Sequence, residues 1–117
     1  MRIRSKIWLE NDEGRLLLGE GRLEIFRAVQ RTGSLSGAAR ELGMSYRAVW
    51  GKVRATEERM GVDLVKGVAG GPRHGGATLT PEAIRFVERF ERFASRATRA
   101  VEELADELLA DGIPEPE

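Results

Sequence analysis

Cysteine is absent from the 117 residues, and histidine occurs once, at His74. The first absence excludes disulfides, thiolate metal ligands and cysteine nucleophiles, and it is compatible with a cytoplasmic location. The second removes support for a His-based metal cluster or a Ser-His-Asp triad. No apolar run approaches the ~18–20 residues that cross a bilayer. The opening Met1-Arg2-Ile3-Arg4-Ser5-Lys6 carries charge but no apolar stretch long enough for a signal peptide. No P-loop is present: Gly70 and Gly75 have the interval, but Gly76-Ala77 follows where Lys-Ser or Lys-Thr is required. With no nucleophile–base pair and no metal cluster, the expectation is a protein that is not an enzyme and uses no cofactor.

Net charge is also lacking, with 19 Lys and Arg against 19 Asp and Glu. The balance hides an asymmetry. All 19 cations lie within residues 1–99 beside 12 acids, a surplus of seven, while residues 100–117 hold seven acids and no cation. A basic body with an acidic end can still attract phosphate, because attraction follows the local field.

The chain is long enough for one domain with a modest core. Residues 3–10 alternate, with Ile3, Ile7 and Leu9 on one side and Arg4, Lys6 and Glu10 on the other. Asn11-Asp12-Glu13-Gly14 marks a turn before Leu16-Leu17-Leu18, so residues 1–19 read as a hairpin. Leu23, Phe26 and Val29, with Ile25 beside them, give a first helix over 22–32 that stops at Gly33. Ser34 caps a second helix carrying Leu35, Ala38, Ala39 and Leu42, and Ser45 caps a third from Tyr46 to Met60. Val62–Lys66 and Ala77–Thr80 read as strands around a glycine-rich loop over 67–76. Thr80-Pro81-Glu82 starts a long helix to about Ala110. Its stripe of Ile84, Val87, Phe90, Ala94, Ala97, Val101, Leu104 and Leu108 outruns a domain of this size, so a second copy is expected to cover it. Residues 111–117 form an acidic tail expected to be disordered.

Helix, turn, short helix, turn and third helix is helix-turn-helix order. Read at about 100° per residue, the third helix places Tyr46, Val49, Trp50, Val53 and Met60 toward the core. Arg47, Ala48, Gly51 and Ala55 face outward, flanked by Lys52 and Arg54. Small residues let such a helix enter a major groove, and Arg or Lys can bond guanine edges or phosphates. Tyr46 either packs inside or reaches a phosphate through its hydroxyl. Gly51 costs a helix roughly 1 kcal/mol relative to Ala; close approach to DNA or close helix packing would each explain it. Ser34, Ser36 and Ser45 at helix starts complete the candidate contacts, and Lys66, Arg73 and His74 give the glycine-rich loop the reach of a wing. The alternative is a hairpin tip that touches nothing.

Residues 22–87 resemble the DNA-binding domain of ModE-type molybdate-responsive transcription regulators. The resemblance rests on Gly33-Ser34-Leu35-Ser36 with Ala38-Ala39, on Gly43-Met44-Ser45-Tyr46-Arg47-Ala48-Val49-Trp50, and on the wing leading into Ala77-Thr78-Leu79-Thr80. The Ala-Ala-x-x-Leu-Gly and Leu-Thr-Pro segments are similar to LysR-type winged helices more broadly. The resemblance implies a mainly α winged helix-turn-helix with small β-hairpins. It further implies a homodimer formed through the last helix and the N-terminal hairpin, with recognition helices on a palindromic duplex site. ModE-type regulators also carry oxyanion-binding domains. No molybdate site is identifiable in this chain, which would make it a short stand-alone relative or a fragment. A different reading keeps the fold but makes it a protein–protein interaction module that does not read DNA.

Overall fold

The computed structural model describes residues 2–68 and 75–114. In chain order these form β1 (Leu9–Glu10), β2 (Leu16–Leu18), α1 (Glu20–Thr32), α2 (Leu35–Leu42), α3 (Tyr46–Met60), β3 (Val65–Val68), β4 (Gly76–Leu79) and α4 (Pro81–Leu109). The architecture is the expected one, mainly helical with two separate antiparallel hairpins. No helix among the described residues is long and apolar enough to cross a membrane.

Local chemistry sets most boundaries. α1 ends at Gly33 and α2 at Gly43, both at positive φ of 74° and 67°, a region glycine enters without a Cβ penalty. The Ser34 hydroxyl accepts from Gly37 N at 2.8 Å and that of Ser45 from Ala48 N at 3.0 Å. Thr80 Oγ1 accepts from Ala83 N at 3.1 Å and Pro81 follows it, as the cap pattern requires.

One core joins these elements. Leu18, Ile25, Phe26, Val29, Val49, Val53, Leu64, Leu79, Val87 and Phe90 are buried together. α1 lies at its centre and contributes Ile25, Phe26, Ala28 and Val29. The wing is tied in from its own backbone, since Ala77 N donates to Gly33 O at 2.7 Å and Thr80 N to Leu64 O at 2.9 Å. At Gly76 a Cβ would stand 3.3 Å from Gly33 O, so glycine lets the strand close on the turn that ends α1.

Four expectations need correction. The first hairpin is shorter than the alternation implied: only Leu9–Glu10 pairs with β2, and Ile3 and Leu9 are exposed. The wing strand starts at Val65, not Val62, because the segment before it is spent turning out of α3. The long helix reaches Leu109, but its stripe is not all free. Val87 and Phe90 are buried in this chain's own core, with Ile84 and Ala94 packed against it. Of the residues proposed to meet a partner, Ala97, Val101, Leu104 and Leu108 lie beyond that core. Trp50, assigned to the core from its apolarity, is 41% exposed.

Candidate nucleic-acid interface

The third helix has two distinct faces. Val49, Val53 and Thr56, spaced i, i+4, i+7, are buried, and Glu57 is buried beside them. Arg47, Trp50, Gly51, Arg54 and Glu58 are exposed on the opposite side. A Cβ built at Gly51 would meet nothing within 4 Å, so helix packing does not require that glycine. Ala48 and Ala55 are half-buried, so the outward face is turned toward Trp50 and Arg54 relative to the sequence reading.

The rotation follows from polar partners that come from segments distant in sequence. Thr56 Oγ1 donates to Leu17 O at 3.1 Å and accepts from Arg22 Nε at 2.9 Å. Arg59 donates to Leu16 O at 2.6 Å. The N-terminal hairpin is thus stitched to the back of α3. Burial, and then the neighbouring Arg59 cation, hold the Arg22 guanidinium below its ordinary value. Glu57 accepts from Leu64 N and Val65 N at 2.8 and 3.1 Å, fixing the base of the wing. A buried acidic side chain on the inward face had no signal in the helical periodicity. Its contacts with two backbone N–H groups and with Arg54 explain it.

The structure brings part of the expected set together. Ser36, Tyr46 and Trp50 line a shallow groove of about 280 Å³ with Val65, Gly67 and Ala77 of the wing. Tyr46 is 52% exposed, which settles its placement outside the core. Arg47, Gly51 and Arg54 continue outward from this groove along α3, and Lys66 is exposed on β3. Lys52 is exposed on the other side of α3 and borders a larger cleft with Met44, Lys6 and Leu42. The Oγ atoms of Ser34 and Ser45 are engaged as helix caps. Arg73 and His74 lie outside the described residues. Trp50 was missed as a surface residue, and Arg54 stands over its ring with Cζ 5.6 Å from the centroid.

A tri-helical core with a capped recognition helix and an adjoining two-stranded wing defines a winged helix-turn-helix protein. A family profile described as bacterial regulatory helix-turn-helix protein, lysR family, matches residues 21–84, more than half of the chain. The chain belongs to that family. It is 38% identical over 73 residues to the molybdenum-pterin-binding protein MopB of Rhodobacter capsulatus, covering 62% of this chain and 27% of that protein. It is 29% identical over 107 residues to the molybdenum transport protein ModE of Azotobacter vinelandii, covering 92% and 39%. The chain therefore spans about a quarter to two fifths of these relatives. Among solved structures, the CbnR_DBD-DNA complex superposes with a TM-score of 0.56 at 26% identity, covering 74% of this chain and 94% of that one.

Proposed function

We propose that this chain binds duplex DNA in a sequence-specific manner as a homodimeric transcription regulator, with no enzymatic step of its own. The recognition helix α3 enters the major groove and the wing lies on the backbone or minor groove. The carrying observation is the outward face of α3, where Arg47 and Arg54 flank a Gly51 that no packing contact requires. Leaving that position without a side chain costs the helix stability, and an approaching DNA surface supplies the compensation. The DNA in the CbnR complex, on a fold like this one, supports the same reading.

The dimer rests on α4. The helix runs 29 residues, and none beyond Phe90 is buried among the described ones. Ala97, Val101, Leu104 and Leu108 continue the stripe into solvent, with Leu108 63% exposed and Phe93 61% exposed. Charge is segregated along the same stretch: Arg92, Arg96 and Arg99 precede Glu102, Glu103, Asp106 and Glu107. Two antiparallel copies crossing at Val101 would place Arg99 beside Glu103 and Arg96 beside Asp106 while the stripes meet. The site would then be palindromic.

Selecting bound duplexes from a random library tests the whole reading. A palindrome bound by a dimer, with affinity falling steeply as salt rises, is the expected result. Absence of salt-sensitive duplex binding at micromolar protein would refute it.

A further inference from the structure

Glu57 on α3 is only 5% exposed, and both of its carboxyl oxygens are engaged. Its two oxygens face different elements. Oε2 accepts from Leu64 N at 2.8 Å and Val65 N at 3.1 Å, where the chain enters the wing. Oε1 accepts from Arg54 Nη1 at 3.3 Å. Arg54 is held on further sides as well, with its guanidinium over the Trp50 ring at 5.6 Å and Glu58 at 3.8 Å. Trp50 in turn lines the groove shared with Val65 and Gly67 of the wing. A neutral acceptor could brace the β3 N–H groups. Accepting from Arg54 as well takes the second acceptor oxygen that a carboxylate has and an amide lacks.

Arg54 lies on the edge of the outward face that Glu57 ties to the entry of the wing. With α3 in the major groove and the wing on the neighbouring backbone or minor groove, that edge faces the phosphate ridge between the grooves. An arginine already fixed by a ring and a carboxylate loses little freedom on meeting a phosphate. We propose that Glu57 is a positioning residue that locks Arg54 to the base of the wing, so that Arg54 meets one backbone phosphate at a set distance from both groove-binding elements. The inference rests on the DNA reading above. It assigns Arg54 a phosphate, not a base, and assigns Glu57 a role in binding beyond bracing the fold.

The test uses the full chain and a duplex taken from library selection, with affinity followed against salt for the unaltered protein, Arg54→Ala, Glu57→Gln and the double variant. Glu57→Gln keeps an oxygen for the β3 N–H groups and removes the charge facing Arg54. Arg54→Ala is expected to lower the slope of log affinity against log salt by about 0.9, the share of one phosphate. It should weaken binding roughly tenfold, and evenly across sequences. Glu57→Gln should produce the same loss, and the double variant no more than either single. A neutral methylphosphonate at one position should copy that loss in the unaltered protein and leave Arg54→Ala unaffected. Glu57→Gln with an unchanged salt slope and only a lowered melting temperature would overturn the proposal, as would additive losses. Should Glu57→Gln not fold, Glu57→Asp, whose shorter side chain withdraws the carboxyl from Arg54, takes its place with the same readouts: an unchanged salt slope, or no single phosphate whose neutralisation matches Arg54→Ala, overturns the proposal. If the unaltered chain shows no salt-sensitive duplex binding, the DNA reading fails first and takes this inference with it.

Discussion

α3 and the distal half of α4 are each exposed where this chain has nothing to cover them, but with opposite chemistry. The free face of α3 is basic and aromatic, with Arg47, Trp50 and Arg54 around an open Gly51. The free face of α4 is apolar, with Val101 half-buried and Leu104 and Leu108 exposed. A face whose charged groups are arginines, one of them stacked on a tryptophan, gains much from a polyanion. A stripe of aliphatic side chains at helical spacing gains from burial, at about 25 cal/mol per Å² removed from water. The difference supports the proposal of DNA on one helix and a second copy of the chain on the other.

The largest effect should come from breaking the apolar face. Leu104→Glu with Leu108→Glu is expected to give a monomeric mass in light scattering with unchanged helical circular dichroism. Affinity for a palindrome should fall roughly a hundredfold as the second half-site is lost. Retention of the dimer would remove α4 from the interface. Arg47→Ala acts on the other face and should cost roughly 1–3 kcal/mol on the selected site if the side chain reads a base. The loss should concentrate at one base position in a mutated-duplex series, and the dimer should persist.

Gly51→Ala sharpens the comparison because its two consequences have opposite sign. The free protein should gain roughly 1 kcal/mol in thermal or urea unfolding, since helix propensity improves and the position is open. Duplex binding should weaken at the same time. Improved stability with undiminished binding would show that the backbone does not approach the DNA there.

The smallest effect is a control away from both faces. Arg31 on α1 forms a forked pair with Glu41 on α2, its Nε donating at 3.2 Å. The hydrogen bond from Arg31 holds the Glu41 carboxyl below its usual value. A carboxyl depressed in the folded state adds stability that is present above its unfolded value and is lost as pH falls through the folded one. Glu41→Gln should therefore remove a small part of the acid-side fall in melting temperature. Both side chains are solvent-accessible, so the change is slight. It should alter neither dimer mass nor salt slope.

Much of the frame was legible in the chain itself. Ser34, Ser45 and Thr80 are caps in sequence and in structure, and Gly33 and Gly43 end the helices they were expected to end. Caps and stops act over three or four residues, so nearby sequence suffices to specify them. Gly37 shows the limit of this. A Cβ there would lie 2.8 Å from Ser34 Oγ and from Thr32 Cβ. Its reason is a neighbouring turn already committed by Thr32 Oγ1 donating to Ala28 O at 2.8 Å.

The sequence alone determined the order of helices and strands, the place of the recognition helix and the basic body with its acidic end. Each of these depends on periodicity, capping or charge count, which are properties of contiguous residues. The tertiary structure decided which way α3 faces. Thr56 and Glu57 turn inward because Leu17 O, Leu64 N and Val65 N stand ready to bond them, and Trp50 turns outward onto Arg54. It also decided where the α4 stripe stops belonging to this chain. Val87 and Phe90 find partners in the core, and the residues after Ala94 project past it. Whether an apolar residue is buried depends on what the rest of the chain brings opposite it, and helical spacing carries no record of that.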